Sequence, residues 1–255
     1  MTTLQPQLPS EDPTLIRLTY RNEHSLAPAD PIDALETWFV NADISGEERA
    51  EAMDILRPTA GEQAQNDVEV DLSVAEMVFI RVPMFSARSP WLLMDEHSAR
   101  LASLAEHVLG RDDSNSLWSP DLEAMAEDAT GDLLVVSEAV FDSAWRGFGL
   151  GPAVIGSAIR RLSGGCAVVA VEPWPVEGSV PTEADHRAGF ARLAEMFGRL
   201  GFEYLHDDVL ILDLSAQKAE DCLRTELERT ESRGERYREH QRSSIPDADP
   251  SRALY

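Results

Sequence analysis

The stretch from residue 132 to residue 172 constrains the fold of this chain more than any other. It runs LLVVSEAVF, then the turn Arg146-Gly147-Phe148-Gly149-Leu150-Gly151, then PAVIGSAIRRL, then CAVVAVE. The first and last segments are nearly continuous apolar runs, the pattern of strands covered on both faces. Between them, Val154, Ile155, Ala158, Ile159 and Leu162 recur at helical spacing. Pro152 suits the first helical turn, where its missing N–H is not needed. Arg160 and Arg161 favour the negative end of the helix dipole, and Gly164-Gly165 stops the helix. A strand, a helix and a strand of these lengths predict a right-handed parallel crossover. The expected fold class is therefore α/β, an α+β arrangement on a mixed sheet.

N-terminal to this unit the signals are weaker. Residues 1–29 repeat prolines without a sustained period and read as a flexible arm, with TLIRLTY as a short strand. Asp30-Pro31 offers a cap and a first-turn proline, and Ile32, Leu35 and Phe39 follow at helical spacing, which predicts a helix. A second helix is expected from Ser45, where Glu48 completes a capping-box pattern, to just before Pro58. GEQAQND reads as a polar loop. Val68, Val70, Leu72 and Val74 alternate and MVFIRV follows, which fits one bent strand or a hairpin turning near Ala75-Glu76. After Ser89-Pro90 a helix carries Leu101, Leu104, Val108 and Leu109 on one face and closes at Gly110. The acidic segment from Arg111 to Gly131 predicts a short helix after Ser119-Pro120.

C-terminal to the unit, a Pro/Gly loop spans 173–181. Thr182 caps a helix that turns Phe190, Leu193, Phe197 and Leu200 inward and ends at Gly201. FEYL and VLILDL flank His206-Asp207-Asp208 and predict a closing hairpin. From Ser215 to about Arg242 the chain is strongly charged, with Glu220–Arg224 and Arg224–Glu228 at helical neighbour spacing. It reads as a solvated helix running into a disordered tail. The expected organisation is an arm at 1–29, a domain at 30–214, and a charged helix with its tail at 215–255.

Charge narrows the partners. The formal net charge is −24 over 255 residues, which repels phosphate backbones and anionic lipid. Nucleic acid and membrane surfaces are not expected; the charge serves solubility or draws in a cationic amine. The chain has two cysteines, Cys166 in an apolar strand pattern and Cys222 on a charged segment, so no disulfide framework is expected. With no signal-like N-terminus and no long apolar run, a cytoplasmic location is the expectation. His97 and His107 are too far apart for one helical metal face, and no Cys/His spacing fits zinc, so no metal is expected.

The glycine turn itself has a chemical logic. An anionic diphosphate needs several N–H donors converging on it and no side chain in the way, and a helix start supplies the dipole. Gly147 through Gly151 offer those amides. Read alone, three alternating glycines are also compatible with a tight strand-to-helix turn. A dinucleotide fingerprint fits less well, because the glycine spacing differs and only Glu172 stands near the end of the second strand.

The run VFDSAWRGFGLGPAVIGSAIRRL resembles the acyl-coenzyme A signature of the GNAT (GCN5-related N-acetyltransferase) superfamily, an Arg or Gln followed by x-x-Gly-x-Gly or Ala. Arg146 takes the first position, Gly149 and Gly151 the glycine positions, and Val140 the valine at the end of the preceding strand. The likeness continues through CAVVAVE, the helix ending GRLGF and the hairpin, and covers about residues 132–214, the acyl-coenzyme A binding core. Within the superfamily, AWRGFGLGP followed by GGCAVVAVEP is similar to an actinobacterial group. The resemblance implies a GNAT-like acyltransferase fold with a nonstandard N-terminal half, since a helix and an acidic loop at 90–131 interrupt the usual strand meander. It implies acetyl-CoA or another acyl-CoA as co-substrate, held by Val140, Arg146, Gly147, Phe148, Gly149, Leu150 and Gly151. It also implies direct N-acyl transfer to a small-molecule or peptide amine, with an amide near Val140 meeting the oxyanion.

The same resemblance raises a catalytic question. Glu138 is the nearest carboxylate on the strand and the candidate base; its alternative role is to cap the sheet or pair with an arginine. Asp142, at the strand end, reads as a turn residue. Where the family places a thiolate-protonating tyrosine, this chain has Phe197, and Phe190 stands where an asparagine is frequent; Tyr204 lies on the next strand. A catalytically degenerate GNAT-fold ligand-binding or interaction protein is therefore the alternative expectation.

Overall fold

Extended chain that can alternate buried and exposed side chains forms the first strands. In the computed structural model, which describes residues 9–23, 34–56, 70–110, 116–126, 129–174, 182–206 and 208–244, β1 (Arg17–Asn22) pairs antiparallel with β2 (Glu36–Ile44). The helix α1 (Gly46–Leu56) follows, then β3 (Leu72–Val82), α2 (Pro90–His97), α3 (Ala99–Val108) and α4 (Pro120–Met125). β4 (Asp132–Phe141), α5 (Gly151–Leu162) and β5 (Cys166–Val171) make the crossover. The chain continues through α6 (Glu183–Gly198), β6 (Glu203–Tyr204), β7 (Leu210–Asp213) and α7 (Gln217–Ser243). The strands form one mixed sheet of seven in the order β1-β2-β3-β4-β5-β7-β6. Only β4 and β5 run parallel; every other neighbouring pair is antiparallel.

β4 shows why the sheet is buried on both sides. Leu134 and Val136 pack with Val154, Ile155, Ala158, Phe197 and Leu223, on the face covered by α5, α6 and α7. Leu133 and Val135 pack with Leu93, Leu101, Leu104 and Val108, on the face covered by α2 and α3. Each fully buried Leu, Ile, Val or Phe among them contributes about 2 kcal/mol of transfer free energy. The segment 90–126 does not break the strand meander: β3 still pairs with β4, and the inserted helices cover the second face.

Several expectations change in detail. The helix expected through Phe39 is instead β2, in which Val40, Ala42 and Ile44 alternate into the core. Thr37, Trp38, Phe39 and Val40 are β-branched or aromatic, and pairing with both β1 and β3 outweighs the Asp-Pro cap signal. Residues 30–33, which carry that signal, lie outside the described residues, as do GEQAQND and the tail. β3 is one bent strand with Val74 as its extra residue against β2, not a hairpin. The helix after Ser89-Pro90 is two helices. Ser98 is extended (φ −166°, ψ 152°) and its hydroxyl accepts from the Leu101 N–H to start α3. α1, α4, the β6–β7 hairpin and Thr182 as the cap of α6 stand as expected, and Asp185 adds a reciprocal bond to the cap. At α1, however, the Glu48 carboxylate pairs with Arg17. Both cysteines are free thiols. Among the described residues no helix is long and apolar enough to cross a membrane.

The largest change concerns α7, which is docked rather than solvated. Leu223, Glu226, Gly234 and Tyr237 are buried along one face. A Cβ on Gly234 would stand 2.5 Å from Thr14 Cγ2 and 2.6 Å from Asp12 Oδ1, so the glycine lets α7 lie against the turn at Pro13–Leu15. Arg238 closes the contact by donating to buried Asp12 at 2.6 Å.

Tyr237 gives this contact a pH signature. Burial first, then the Glu11 carboxylate, pushes its phenol up to about 12. A raised folded pKa means that the stability tied to the neutral phenol is complete below the unfolded value of about 10 and is lost as pH rises through 12. Denaturant titrations of wild type and Tyr237→Phe from pH 9 to 12 are expected to converge at the alkaline end, the wild type losing stability faster. Parallel curves would remove the phenol from this linkage.

Candidate functional site

The sheet opens where β4 and β5 part. They share four pairs, Asp132↔Cys166, Leu133↔Val168, Leu134↔Val169 and Val135↔Ala170. β4 then continues to Phe141 with only β3 beside it. Opposite β3, Val78 meets Glu138 and Phe79 meets Val136, which leaves Ser137 as a bulge. A bulge bends its strand and increases the local twist, and here it sits where β4 turns away from β5. The β5-facing edge of β4 from Val136 to Phe141 thus presents backbone groups without a strand partner, an unusual state in mid-sheet.

A cavity of about 680 Å³ occupies this opening. Ala139, Val140 and Phe141 of β4 form one wall, and Arg146, Gly147, Gly149, Leu150, Gly151 and Pro152 form its floor. Trp174, the α6 residues Gly189, Arg192, Leu193, Glu195 and Met196, and the α6 C-cap Arg199 line the rest. The volume lies in the range of sites for cofactor-sized ligands, about 300–1,000 Å³.

The turn is built locally. The carboxylate of Asp142 accepts from the Ala144 N–H at 2.8 Å and shapes a 3₁₀ turn at Ser143–Trp145. Trp145 is buried beneath it. Arg146 Nε donates to the Phe141 carbonyl at 2.7 Å, tying the turn to the end of β4. Gly147 (φ 81°) and Gly149 (φ 69°) occupy the left-handed region, which disfavours side chains. Leu150 then caps α5 without any side-chain acceptor. The first-turn amides of a helix have no partner within it, so those of α5 stand at the cavity floor with the positive end of its dipole.

The residues expected from the sequence divide into two groups. Val140, Arg146, Gly147, Gly149, Leu150 and Gly151 meet at the cavity, whereas Phe148 is half-buried against the core. Glu138 is exposed and does not line the cavity. Asp142 is the turn residue it was expected to be. Phe197 is buried, edge-on to Phe202 at 5.1 Å between ring centroids. Phe190 is half-buried, 6.3 Å from the ring of exposed Tyr204. Glu172 is occupied elsewhere: its backbone carbonyl accepts from Arg100 at 2.5 Å, and burial raises its carboxyl pKa while Arg100 opposes the shift. Among the described residues no three His, Cys, Asp or Glu side chains gather as metal ligands.

Sequence reasoning missed the charged wall. Arg192 and Glu195 of α6 and Arg199, its C-cap, fall on one side, a spacing of i, i+3 and i+7 that marks a common face. Arg199 turns towards α7, where its Nε donates to Glu226 Oε1 at 3.1 Å. Glu226 is 1% exposed and also accepts from Arg229. Comparison of the chain with protein-family models, with curated proteins and with solved structures finds no match.

Proposed function

We propose that the chain is an acyl-coenzyme A-dependent N-acyltransferase of GNAT-like fold that passes an acyl group, acetyl in the simplest case, directly to an amine. The observation that carries the reading is the parting of β4 and β5 immediately beside a glycine turn and a helix start. The strand order, with a single parallel pair at its centre, supports the same fold. The residues present fit such a ligand: bare glycines and first-turn amides for a diphosphate, and an open strand edge for the amides of a pantetheine arm.

Bound acyl-CoA would supply an activated thioester carbonyl. The open β4 edge on either side of Val140 offers the Ala139 and Phe141 N–H groups where negative charge develops on that carbonyl oxygen, since the Val140 backbone faces Glu76 of β3. The amine nitrogen forms the new bond to the carbonyl carbon as the C–S bond breaks. Glu195 is the one carboxylate among the described lining residues, and it is the group at hand for the amine proton. Phe197 has no proton to give, so the departing thiolate takes one from solvent. The chain's net charge of −24 favours a cationic amine as the acceptor.

A second reading, a GNAT-fold protein that binds but does not transfer, is favoured by the burial of Phe197 and by the position of Glu138 outside the cavity. Thiol release from acetyl-CoA, followed across a panel of amines, separates the two. Amine-dependent release and an acylated product are expected, with full turnover in Glu138→Gln. Saturable binding with neither thiol nor product establishes the second reading instead.

A further inference from the structure

A helix beyond the sheet reaches the glycine turn. The Cβ that Gly149 lacks would stand 3.0 Å from Arg233 Nη2 and 3.5 Å from Arg199 Nη1. The bare side of the turn therefore faces two guanidiniums, one from the end of α6 and one from α7. Arg199 is held in place by buried Glu226, which also takes Arg229. Two cations, Arg199 and Arg229, share that single carboxylate and Arg233 stands beside Arg199 at the turn, which leaves a local positive excess in a chain of net charge −24. Arg233 Nη1 is buried and has no hydrogen-bond partner among the described residues.

Such an array is uphill as it stands. Burial first, then the neighbouring Arg199, lowers the Arg233 pKa from its ordinary value, although a guanidinium remains charged at neutral pH. A desolvated cation beside like charges, with donors left over, is complementary to a bound anion. The anion must bear several acceptor oxygens to satisfy two planar donors and the turn amides together.

We propose that Arg233 and Arg199 form the side-chain half of a diphosphate clamp whose backbone half is the 147–151 turn, so that α7 completes the ligand site. Glu226 is a positioning residue that sets the Arg199 guanidinium. The clamp deepens the acyl-CoA reading and rests on it. It assigns to α7 a task that the resemblance, which ends near residue 214, does not contain.

The test compares full-length wild type with Arg233→Gln in calorimetric titrations of coenzyme A, of dephospho-coenzyme A and of pantetheine. Loss of one charge-assisted contact is expected to weaken both diphosphate-bearing ligands about 30-fold and to leave pantetheine unchanged. The unliganded variant is expected to melt no lower than wild type, since the substitution removes a like charge; a purely structural Arg233 would lower it. Equal affinity of variant and wild type for coenzyme A overturns the clamp and leaves the acyl-CoA reading intact. A loss confined to coenzyme A and absent with dephospho-coenzyme A overturns it too, by placing Arg233 on the 3′-phosphate. Failure of wild type to bind any of the three overturns clamp and acyl-CoA reading together.

Discussion

Gly149→Asp is expected to abolish coenzyme A binding while the chain stays folded. The new carboxylate projects from a Cβ 3.0 Å from Arg233 Nη2 and 3.5 Å from Arg199 Nη1, where it pairs with both and stands in for the ligand's own charge. Two like charges about 4 Å apart at an effective dielectric near 20 repel by about 4 kcal/mol, roughly a thousandfold in Kd. The left-handed backbone at φ 69° costs a non-glycine residue about 1–2 kcal/mol, and the new ion pairs offset part of that cost. Gly149→Ala is the control: it carries the strain without the charge, so its loss of affinity is expected to be much the smaller. Equal losses for the two variants would mean that turn geometry, not charge, governs the site.

Glu226→Ala carries the largest expected cost in stability. The carboxylate is buried and satisfies Arg199 and Arg229 at once. Its removal leaves Arg199 facing Arg233 with no counter-charge between them. Breaking a buried pair costs about 3–5 kcal/mol, and the lower end applies because the Arg199 side chain is 31% exposed. Urea denaturation is the measurement, with a lower midpoint and an unchanged slope expected. The double variant Glu226→Ala/Arg199→Ala is expected to recover part of the loss, since it removes one of the stranded cations. A single variant as stable as wild type would show that the three arginines do not depend on this carboxylate.

How much was legible in the sequence follows from where each element's determinants lie. β4, the glycine turn, α5 and β5 are contiguous, and each carries its own period, so their order and their parallel crossover read directly. β2 did not, because its strand state depends on β1 and β3 on either side, while Asp30-Pro31 presents a helix signal nearby. The docked face of α7 was hidden for a compositional reason. Two of its four buried positions, Glu226 and Gly234, are a charge and a glycine, so no apolar stripe is visible. The parting of the strands was equally hidden, since no residue type marks the point after Val135 where pairing stops. At the site, the floor was legible and the charged wall was not. Arg192 and Arg199 recur on one helical face, a usable signal, but Arg233 meets Gly149 only through the fold.

If the chain is an acyl-CoA-dependent transferase, the opening between β4 and β5 holds acyl-coenzyme A on the 146–151 turn. Titration of acetyl-CoA and of free coenzyme A into the full-length chain, read by calorimetry and by melting temperature, tests it most directly. Saturable one-to-one binding of both is expected, with a stabilisation of about 2.7 kcal/mol when free ligand reaches about 100 times its Kd. Absence of binding heat and of any melting shift with either ligand, up to about 1 mM, would contradict it.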